Sequence, residues 1–222
     1  MNRDDDRSAA LRLAPVSHET LARLDAYVEL LGQWRKAVNL ISEASFAEVW
    51  TRHVADSAQL LAHAPEAKVW VDMGSGAGFP GLVIAIQLAD LPGARVHLIE
   101  SDQRKCAFLR EAARVTAAPA VIHNERIESA APRIADAVDA VSARALAPLP
   151  KLIDFAKIWL DQGATGVFPR GRTDEQIGNS NFQNYMIEFP RSRTDSMSAI
   201  SIIRRRTRVT SDEPPPGGSA ES

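Results

Sequence analysis

The chain has 222 residues, of which 45% are hydrophobic and 24% charged, with a formal net charge of −2 at pH 7. This composition is typical of one globular enzyme domain, and the length excludes a second catalytic domain of the dehydrogenase kind. The single cysteine, Cys106, excludes an intramolecular disulfide framework. The apolar runs are too short to cross a bilayer and the acidic N-terminus lacks a secretory core, so we expect a cytoplasmic protein with no membrane part.

The first 66 residues are expected to form a helical cap. Apolar residues between Leu21 and Trp34 recur at three- and four-residue spacing and predict a helix that begins near Ser17. The element Ser45-x-x-Glu48 has the form of a capping box and predicts a second helix that runs to about Leu61. The cap therefore precedes a separate domain, which we place at residues 67–210.

A glycine-rich loop follows the β-type run Val69–Met73 and opens an apolar helix at Leu82. Glycine lets the backbone take φ > 0 and lets a ligand lie directly on the main chain. The pattern fits two registers, which are the dinucleotide fingerprint Gly76-x-Gly78-x-x-Gly81 and the S-adenosylmethionine loop Gly74-x-Gly76-x-Gly78.

Two neighbours of the loop favour the second register. Pro80 removes one of the N–H donors that a pyrophosphate would need at the helix start. Asp72 would attract the positive sulfonium of S-adenosylmethionine. The sequence thus favours this cofactor, with Gly74, Gly76 and Gly78 against it, and no metal is expected.

The next β-type run, from Ala94 to Ile99, ends in Glu100, where a carboxylate can hold ribose hydroxyls. Helices at 102–116 and 149–160 then alternate with strands at 120–123, 137–141 and 164–168. This order predicts an α/β fold with a mostly parallel sheet. Two extended runs, 183–189 and 197–203, predict an antiparallel edge, and the Pro- and Gly-rich residues 211–222 predict a disordered tail.

Motifs from about Tyr27 to about Arg206 resemble the bacterial small-subunit ribosomal RNA guanine-N7 methyltransferases, also called the glucose-inhibited division protein B family. The resemblance implies a Rossmann-like class I methyltransferase fold and methyl transfer from S-adenosylmethionine to N7 of a guanine in the decoding-region loop of 16S rRNA. It also implies 16S rRNA or the small ribosomal subunit as the partner of a monomeric enzyme. The motifs are Leu30-Leu31-x-x-Trp34, Asn39-Leu40-Ile41-Ser42, Arg52-His53-Val54-x-Asp56-Ser57, Asp72-Met73-Gly74-Ser75-Gly76-Ala77-Gly78-Phe79-Pro80-Gly81, Leu98-Ile99-Glu100-Ser101, Phe108-Leu109-Arg110 and Ser142-Ala143-Arg144-Ala145-Leu146-Ala147.

The same resemblance implies further site residues. Phe79 is expected to contact the cofactor, and Ile127 and Glu128 are expected to lie against its adenine. Arg144 follows the fourth predicted strand, at the edge where ligands bind in open α/β sheets. The resemblance implies that it contacts the cofactor and positions the substrate.

The residue chemistry agrees with N7 as the acceptor. Guanine N7 carries a lone pair and no proton, so its methylation needs positioning rather than a base. The segment Ser142–Ala145 lacks the Asn/Asp-Pro-Pro-Tyr/Phe element typical of amine methylation, and Cys106 lies on an apolar helix stripe where core packing is expected. Three alternatives stay open, which are a same-fold methyltransferase with another substrate, an NAD-dependent oxidoreductase, and a noncatalytic RNA-binding protein.

Other polar and aromatic residues are predicted to have structural or RNA-binding roles. We expect His53 to make a hydrogen bond that joins the cap to the sheet, and Tyr27 and Trp34 to pack in the core. Arginine and lysine clusters are candidate phosphate contacts, and the role of Arg170 is left open because relatives commonly have lysine there. These clusters are Arg104-Lys105, Arg110, Arg114, Arg170 with Arg172, Arg191 with Arg193, and Arg204–Arg206 with Arg208.

Overall fold

The computed structural model describes residues 3–134, 136–170 and 183–206, which build a seven-stranded sheet in the order β3-β2-β1-β4-β5-β7-β6. Strands β1 to β5 are parallel, and β7 runs antiparallel to both β5 and β6. The strands are β1 (Val69–Met73), β2 (Arg95–Glu100), β3 (Ala120–Asn124), β4 (Ala140–Ser142), β5 (Thr165–Arg170), β6 (Tyr185–Glu188) and β7 (Ala199–Arg205). The predicted fold class, a mostly parallel sheet with an antiparallel edge, is confirmed.

Helices precede, connect and cover the strands. The α-helices are α1 (Arg3–Leu13), α2 (His18–Val38), α3 (Glu43–Ala47), α4 (Asp56–Ala58), α5 (Gly81–Gln87), α6 (Gln103–Thr116), α7 (Ile127–Ala130) and α8 (Leu149–Leu160). A π-helical turn at Trp50–Ala55 and 3₁₀ turns at Gln59–His63 and Ala131–Arg133 complete the helical segments. None of the described helices combines the length and the apolar composition that a bilayer crossing requires.

The core has two apolar clusters, one on each face of the sheet. Strand β1 shows why, because successive side chains of a strand point to opposite faces. Trp70 packs with the cap, α5 and α6, whereas Val71 and Met73 pack with α7 and α8. All three side chains are completely buried.

The predicted second cap helix is wrong in both its start and its continuity. Ser42, not Ser45, caps α3, because the Ser42 hydroxyl accepts a hydrogen bond from the backbone N–H of Ser45 at 3.1 Å. The chain then leaves α-helical geometry, because the buried Asp6 carboxylate of α1 accepts the backbone N–H of Trp50 at 2.8 Å. Helix α1 itself was not predicted.

Smaller differences occur after β3. Helix α7 was not predicted, and β4 covers Ala140–Ser142 instead of 137–141. The predicted tail at 211–222 lies outside the described residues. The division into a cap (1–66) and a second domain (67–210) stays a prediction.

Candidate functional site

The candidate site lies at the carboxyl ends of β1, β2 and β4. Strand β1 pairs with β2 on one side and with β4 on the other, and the chain order of the sheet reverses between β1 and β4. In open α/β sheets, ligands bind in the crevice outside such a reversal. The glycine loop after β1, Glu100 at the end of β2 and Arg144 after β4 all meet this crevice.

The loop glycines have conformations that other residues rarely adopt. Their φ angles are +69° at Gly74, +56° at Gly76 and +98° at Gly78. A Cβ atom on Gly78 would lie 2.9 Å from Leu82 Cβ, so packing also requires glycine there. A Cβ atom on Gly76 would meet nothing closer than the Gly74 carbonyl oxygen at 3.8 Å. The backbone at Gly76 therefore faces open space in which a ligand can lie.

Glu100 lies across from this open face. One of its carboxylate oxygens accepts the backbone N–H of Gly76 at 3.0 Å, and the other accepts the backbone N–H of Asp102 at 2.8 Å. A carboxylate has about four lone-pair sites, so both oxygens can accept further hydrogen bonds. Glu100 is half-buried and fixed in orientation, as a residue that holds ribose hydroxyls would need to be.

Asp72 lies under the loop and links two strands. Its carboxylate accepts the hydroxyl of Ser142 on β4 at 2.8 Å, and the side chain is almost fully buried. A Cβ atom on Gly81 would lie 2.5 Å from Asp72 Cβ, so the start of α5 comes unusually close. Burial raises the pKa of Asp72 to about 6, although the hydrogen bond from Ser142 opposes the shift.

The raised pKa of Asp72 predicts a pH dependence of stability. The folded state holds the proton of the Asp72 carboxyl more tightly than the unfolded chain does. The stabilisation of the folded state by this bound proton is therefore fully present below about pH 4 and is lost as pH rises toward about 6. Asp72→Asn keeps an oxygen for Ser142 without a charge, so we expect it to exceed the wild type in free energy of unfolding by about 3 kcal/mol near pH 7, with convergence near pH 4. Urea denaturation at several pH values measures the difference, and a difference that does not change with pH would contradict the prediction.

Arg144 follows β4 and lies over the aromatic ring of Phe79, with its guanidinium carbon 5.0 Å from the ring centroid. Its Nη1 donates to the backbone oxygen of Arg52 at 3.3 Å and lies 3.6 Å from a carboxylate oxygen of Asp56. Burial lowers the pKa of this guanidinium, which still stays charged. The next residue, Ala145, has φ of +53°, a strained conformation of the kind found at functional sites.

His53 does not behave as predicted. Its ring stacks on Phe79 with centroids 4.9 Å apart, and both ring nitrogens are buried without a hydrogen-bond partner in the described part of the chain. The predicted hydrogen bond is wrong because the imidazole packs face to face with an aromatic ring, next to Arg144 and Arg52. Burial, reinforced by these two positive charges, lowers the pKa of His53 to about 3, so the ring is neutral at physiological pH.

The cap reaches the loop through Tyr27 on α2. This tyrosine is completely buried, and its hydroxyl donates to the backbone oxygen of Ala77 at 2.6 Å. The predicted core packing of Tyr27 and Trp34 is confirmed, since both rings pack near Phe108. The spacing that predicted this packing carries no signal for the hydroxyl contact, which the sequence analysis missed.

Three other predicted residues can be placed. Ile127 begins α7, next to the end of β3, and is buried, whereas the neighbouring Glu128 is exposed. Cys106 is fully buried on α6, and its thiol donates to the backbone oxygen of Glu100 at 3.1 Å. Burial raises the pKa of this thiol, so it suits a core residue better than a nucleophile, and the predicted core position is confirmed.

The candidate RNA-contact arginines are distributed over several surfaces. Arg114 pairs with Glu111 at 2.7 Å, and Arg204 pairs with Glu188 at 3.4 Å. The guanidinium of Arg170 lies 5.2 Å from the centroid of the Phe189 ring. Arg172 and Arg208 lie outside the described residues. Phosphate binding by these clusters stays a prediction.

A cavity of about 890 Å³ opens beside Arg144. Its walls come from the cap, the carboxyl ends of β4 and β5, and the connection between β6 and β7. Lining side chains used below are His53, Asp56, Arg144, Leu152, Phe168 and Thr194. Arg144 lines this cavity and also contacts Phe79, which directly follows the glycine loop, so the cavity and the loop share the Arg144 side chain as a neighbour.

Comparison with known proteins identifies the family. Residues 20–200 match the family model described as rRNA small subunit methyltransferase G. A protein of that name from Nitrobacter winogradskyi is 53% identical over 170 residues, covering 77% of this chain but only 61% of that protein's length. Another, from Bradyrhizobium sp. strain ORS 278, is 45% identical over 207 residues, covering 91% of this chain and 93% of its own.

A solved structure, cofactor-bound Rv0187 from MTB, shares the fold with a TM-score of 0.57 at 13% identity, covering 83% of this chain and 90% of that one. The family model and the two relatives confirm the resemblance that the sequence motifs indicated, over most of the same residues. The chain belongs to the rRNA small subunit methyltransferase G family.

Proposed function

We propose that the chain is an S-adenosylmethionine-dependent methyltransferase that modifies N7 of a guanine in the decoding-region loop of 16S rRNA. The observation that carries this proposal is the open glycine loop opposite Glu100, at the reversal of the sheet, in a member of this family. We further propose that the enzyme is a cytoplasmic monomer acting on 16S rRNA or the small ribosomal subunit, with residues 1–66 as a cap on a 67–210 catalytic domain.

The residues around the loop suit this cofactor. The open face at Gly76 leaves room for a nucleoside on the main chain between Gly74 and Gly78, and Glu100 supplies acceptors for ribose hydroxyls. In this proposal Phe79, Ile127 and Glu128 complete the cofactor contacts, the last two at the adenine. When bound, S-adenosylmethionine supplies a methyl group on a sulfonium, which a lone pair can displace from the sulfur.

The acceptor side needs positioning and exclusion of water rather than proton transfer. Guanine N7 has no proton to lose, and the neutral His53 and the buried Cys106 match a site without a base or a nucleophile. Arg144 can donate to O6 of the base while N7 points to the methyl group. We therefore assign Arg144 to substrate positioning as well as to the cofactor pocket.

Glu100→Ala should weaken cofactor binding by about 1–3 kcal/mol, because a hydrogen-bonded carboxylate and its fixed loop contact are both lost. Calorimetric titration with S-adenosylhomocysteine measures this effect. The matched control is Glu111→Ala, which removes an exposed carboxylate of α6 that pairs with Arg114. Equal affinities for the two variants would contradict the role of Glu100.

The function is tested by incubating the protein with methyl-labelled S-adenosylmethionine and either small ribosomal subunits or naked 16S rRNA, and then mapping the label. The proposal expects label at N7 of one guanine in the decoding-region loop. Label in another RNA or in a small molecule would support a same-fold methyltransferase with a different substrate. Tight nicotinamide dinucleotide binding would support an oxidoreductase, and RNA binding that ignores the cofactor would support a noncatalytic protein.

A further inference from the structure

The motif Arg52-His53-Val54-x-Asp56-Ser57 contacts both Phe79, through His53, and Arg144, through the Arg52 carbonyl and Asp56. It lies where the π-helical turn of the cap passes into α4, on the wall of the cavity beside Arg144. The Ser57 hydroxyl donates to the backbone oxygen of His53 at 2.6 Å, which stabilises this irregular turn. Asp56 is the member of the motif that faces Arg144 across the cavity wall.

Within the described ranges, neutral donors hydrogen-bond to one carboxylate oxygen of Asp56. One carboxylate oxygen accepts the hydroxyl of Thr194 at 2.8 Å and the side-chain amide of Gln59 at 3.0 Å. The other oxygen lies 3.6 Å from Arg144 Nη1, a distance that leaves room for further hydrogen bonding. Asp56 thus offers a hydrogen-bond acceptor to the cavity, next to the hydrogen-bond donors of Arg144.

Gln59 connects Asp56 to residues 192–193, in the connection between β6 and β7. The side chain is buried, its amide nitrogen donates to the Ser192 hydroxyl at 2.9 Å, and its oxygen accepts the backbone N–H of Arg193 at 2.8 Å. The turn at 192–194 therefore fixes the position of Asp56 on the cap, through Thr194 and Gln59. Such support from a second layer of contacts keeps a recognition residue in one orientation.

The cavity has the size and the walls of a site for a planar base. Its volume of about 890 Å³ lies within the range of small-molecule sites, and Phe168 and Leu152 give it apolar surfaces. A base in folded RNA must leave its stack to reach a crevice at the end of a sheet. The adjacent donor and acceptor on Arg144 and Asp56 would then meet the edge of that base.

Resting on the proposed function, we propose that this cavity binds the acceptor base and that Arg144 and Asp56 together select guanine by its Watson–Crick edge. Arg144 donates to the O6 acceptor, and Asp56 accepts from the adjacent N1–H. Adenine presents the opposite pattern, a donor at N6 and an acceptor at N1, and would place donor against donor and acceptor against acceptor. N7 lies on the other edge of the purine and stays free for methyl transfer.

The test uses synthetic decoding-region RNA in which the target guanosine is replaced by inosine or by 2-aminopurine. Inosine keeps O6 and N1–H, whereas 2-aminopurine lacks both and keeps N7. We expect the wild type to methylate the guanosine and inosine RNAs at similar kcat/KM and the 2-aminopurine RNA at least about 10-fold more slowly. Asp56→Asn presents an amide donor to N1–H, so it should lower kcat/KM for the guanosine and inosine RNAs about 10-fold or more. It should also reduce the ratio of kcat/KM for the guanosine RNA to kcat/KM for the 2-aminopurine RNA.

Three further measurements separate recognition from general loss of structure. Asp25→Asn breaks a comparable cap ion pair, with Arg7 at 2.6 Å, and should leave the ratio unchanged. Affinity for S-adenosylhomocysteine should stay within about twofold for Asp56→Asn, because Asp56 is not assigned to the cofactor and because Phe79 and the Arg52 carbonyl still hold Arg144 in place. If Asp56→Asn fails to fold, Thr194→Val serves in its place, since it removes one donor that orients Asp56 at nearly constant volume.

The outcomes are distinct. Suppose that the wild type methylates the guanosine RNA and that Asp56→Asn, or Thr194→Val in its place, keeps the wild-type ratio of kcat/KM between the guanosine and 2-aminopurine RNAs. That result would overturn this inference alone. A wild type that also methylates the 2-aminopurine RNA at the guanosine rate would overturn it as well. A wild type inactive on guanosine RNA and on small ribosomal subunits would overturn the proposed function and this inference with it.

Discussion

Gly76→Asp is expected to lower the affinity for S-adenosylhomocysteine at least about 100-fold, equivalent to about 3 kcal/mol. Gly76 has φ of +56° and faces open space, so an added side chain would occupy the surface assigned to the nucleoside. A second carboxylate would also lie close to Glu100, which accepts the Gly76 N–H at 3.0 Å. Isothermal titration calorimetry measures the loss directly.

The matched control for this variant is Gly93→Asp. Gly93 also has a positive φ, +81°, and a Cβ atom there would meet nothing within 4 Å. This control adds the same charge at another positive-φ glycine, in the connection between α5 and β2. Wild-type affinity in Gly76→Asp, or an equal loss in Gly93→Asp, would count against the assignment of the loop.

Arg144→Ala is expected to lower kcat/KM for rRNA methylation about 10- to 100-fold, which corresponds to the roughly 1–3 kcal/mol that a side-chain contact with a base edge contributes. The guanidinium is held between Phe79, the Arg52 carbonyl and Asp56, so its loss removes a fixed donor from the cavity wall. Arg144→Lys keeps the charge without the planar fork and should be intermediate. Methyl incorporation into small ribosomal subunits measures both variants.

Arg95→Ala is the control for the arginine change. Arg95 also pairs with an aspartate, Asp136 at 3.1 Å, but it begins β2 and lies at the opposite end of the sheet. We expect wild-type turnover in this control and a similar melting temperature for all three variants. Full activity in Arg144→Ala would show that the residue has no part in positioning the substrate.

The parts of the site that could be predicted depend on local sequence. The run Val69–Met73 and the glycines after it specify a strand, a turn and a helix within a few residues of one another. Glu100 could be placed because it ends the next strand, and parallel strands bring their carboxyl ends to one edge. Arg144 could be placed for the same reason, because it follows the end of β4. Its partner Asp56 could not be found in that way, because it does not follow a strand.

The parts that could not be predicted depend on contacts between distant segments. Asp6 ends regular helix at Trp50 across 44 residues, so the pattern around Ser45 predicted a continuous helix that the fold interrupts. Thr194 reaches Asp56 across 138 residues, and no local pattern encodes that contact. His53 lies at ordinary helical spacing, and only the position of Phe79 shows why its ring nitrogens have no hydrogen-bond partner among the residues that the structure describes.

The hydroxyl of Tyr27 on the Ala77 carbonyl makes α2 a direct support of the glycine loop at which we propose the cofactor binds. A truncated chain that begins at β1 would lose the phenol that hydrogen-bonds this main-chain oxygen, so we expect the remaining sheet domain to bind the proposed cofactor more weakly than the full chain does. Engineering that exchanges N-terminal segments between relatives would therefore alter methyl-donor affinity even when every sheet residue is retained.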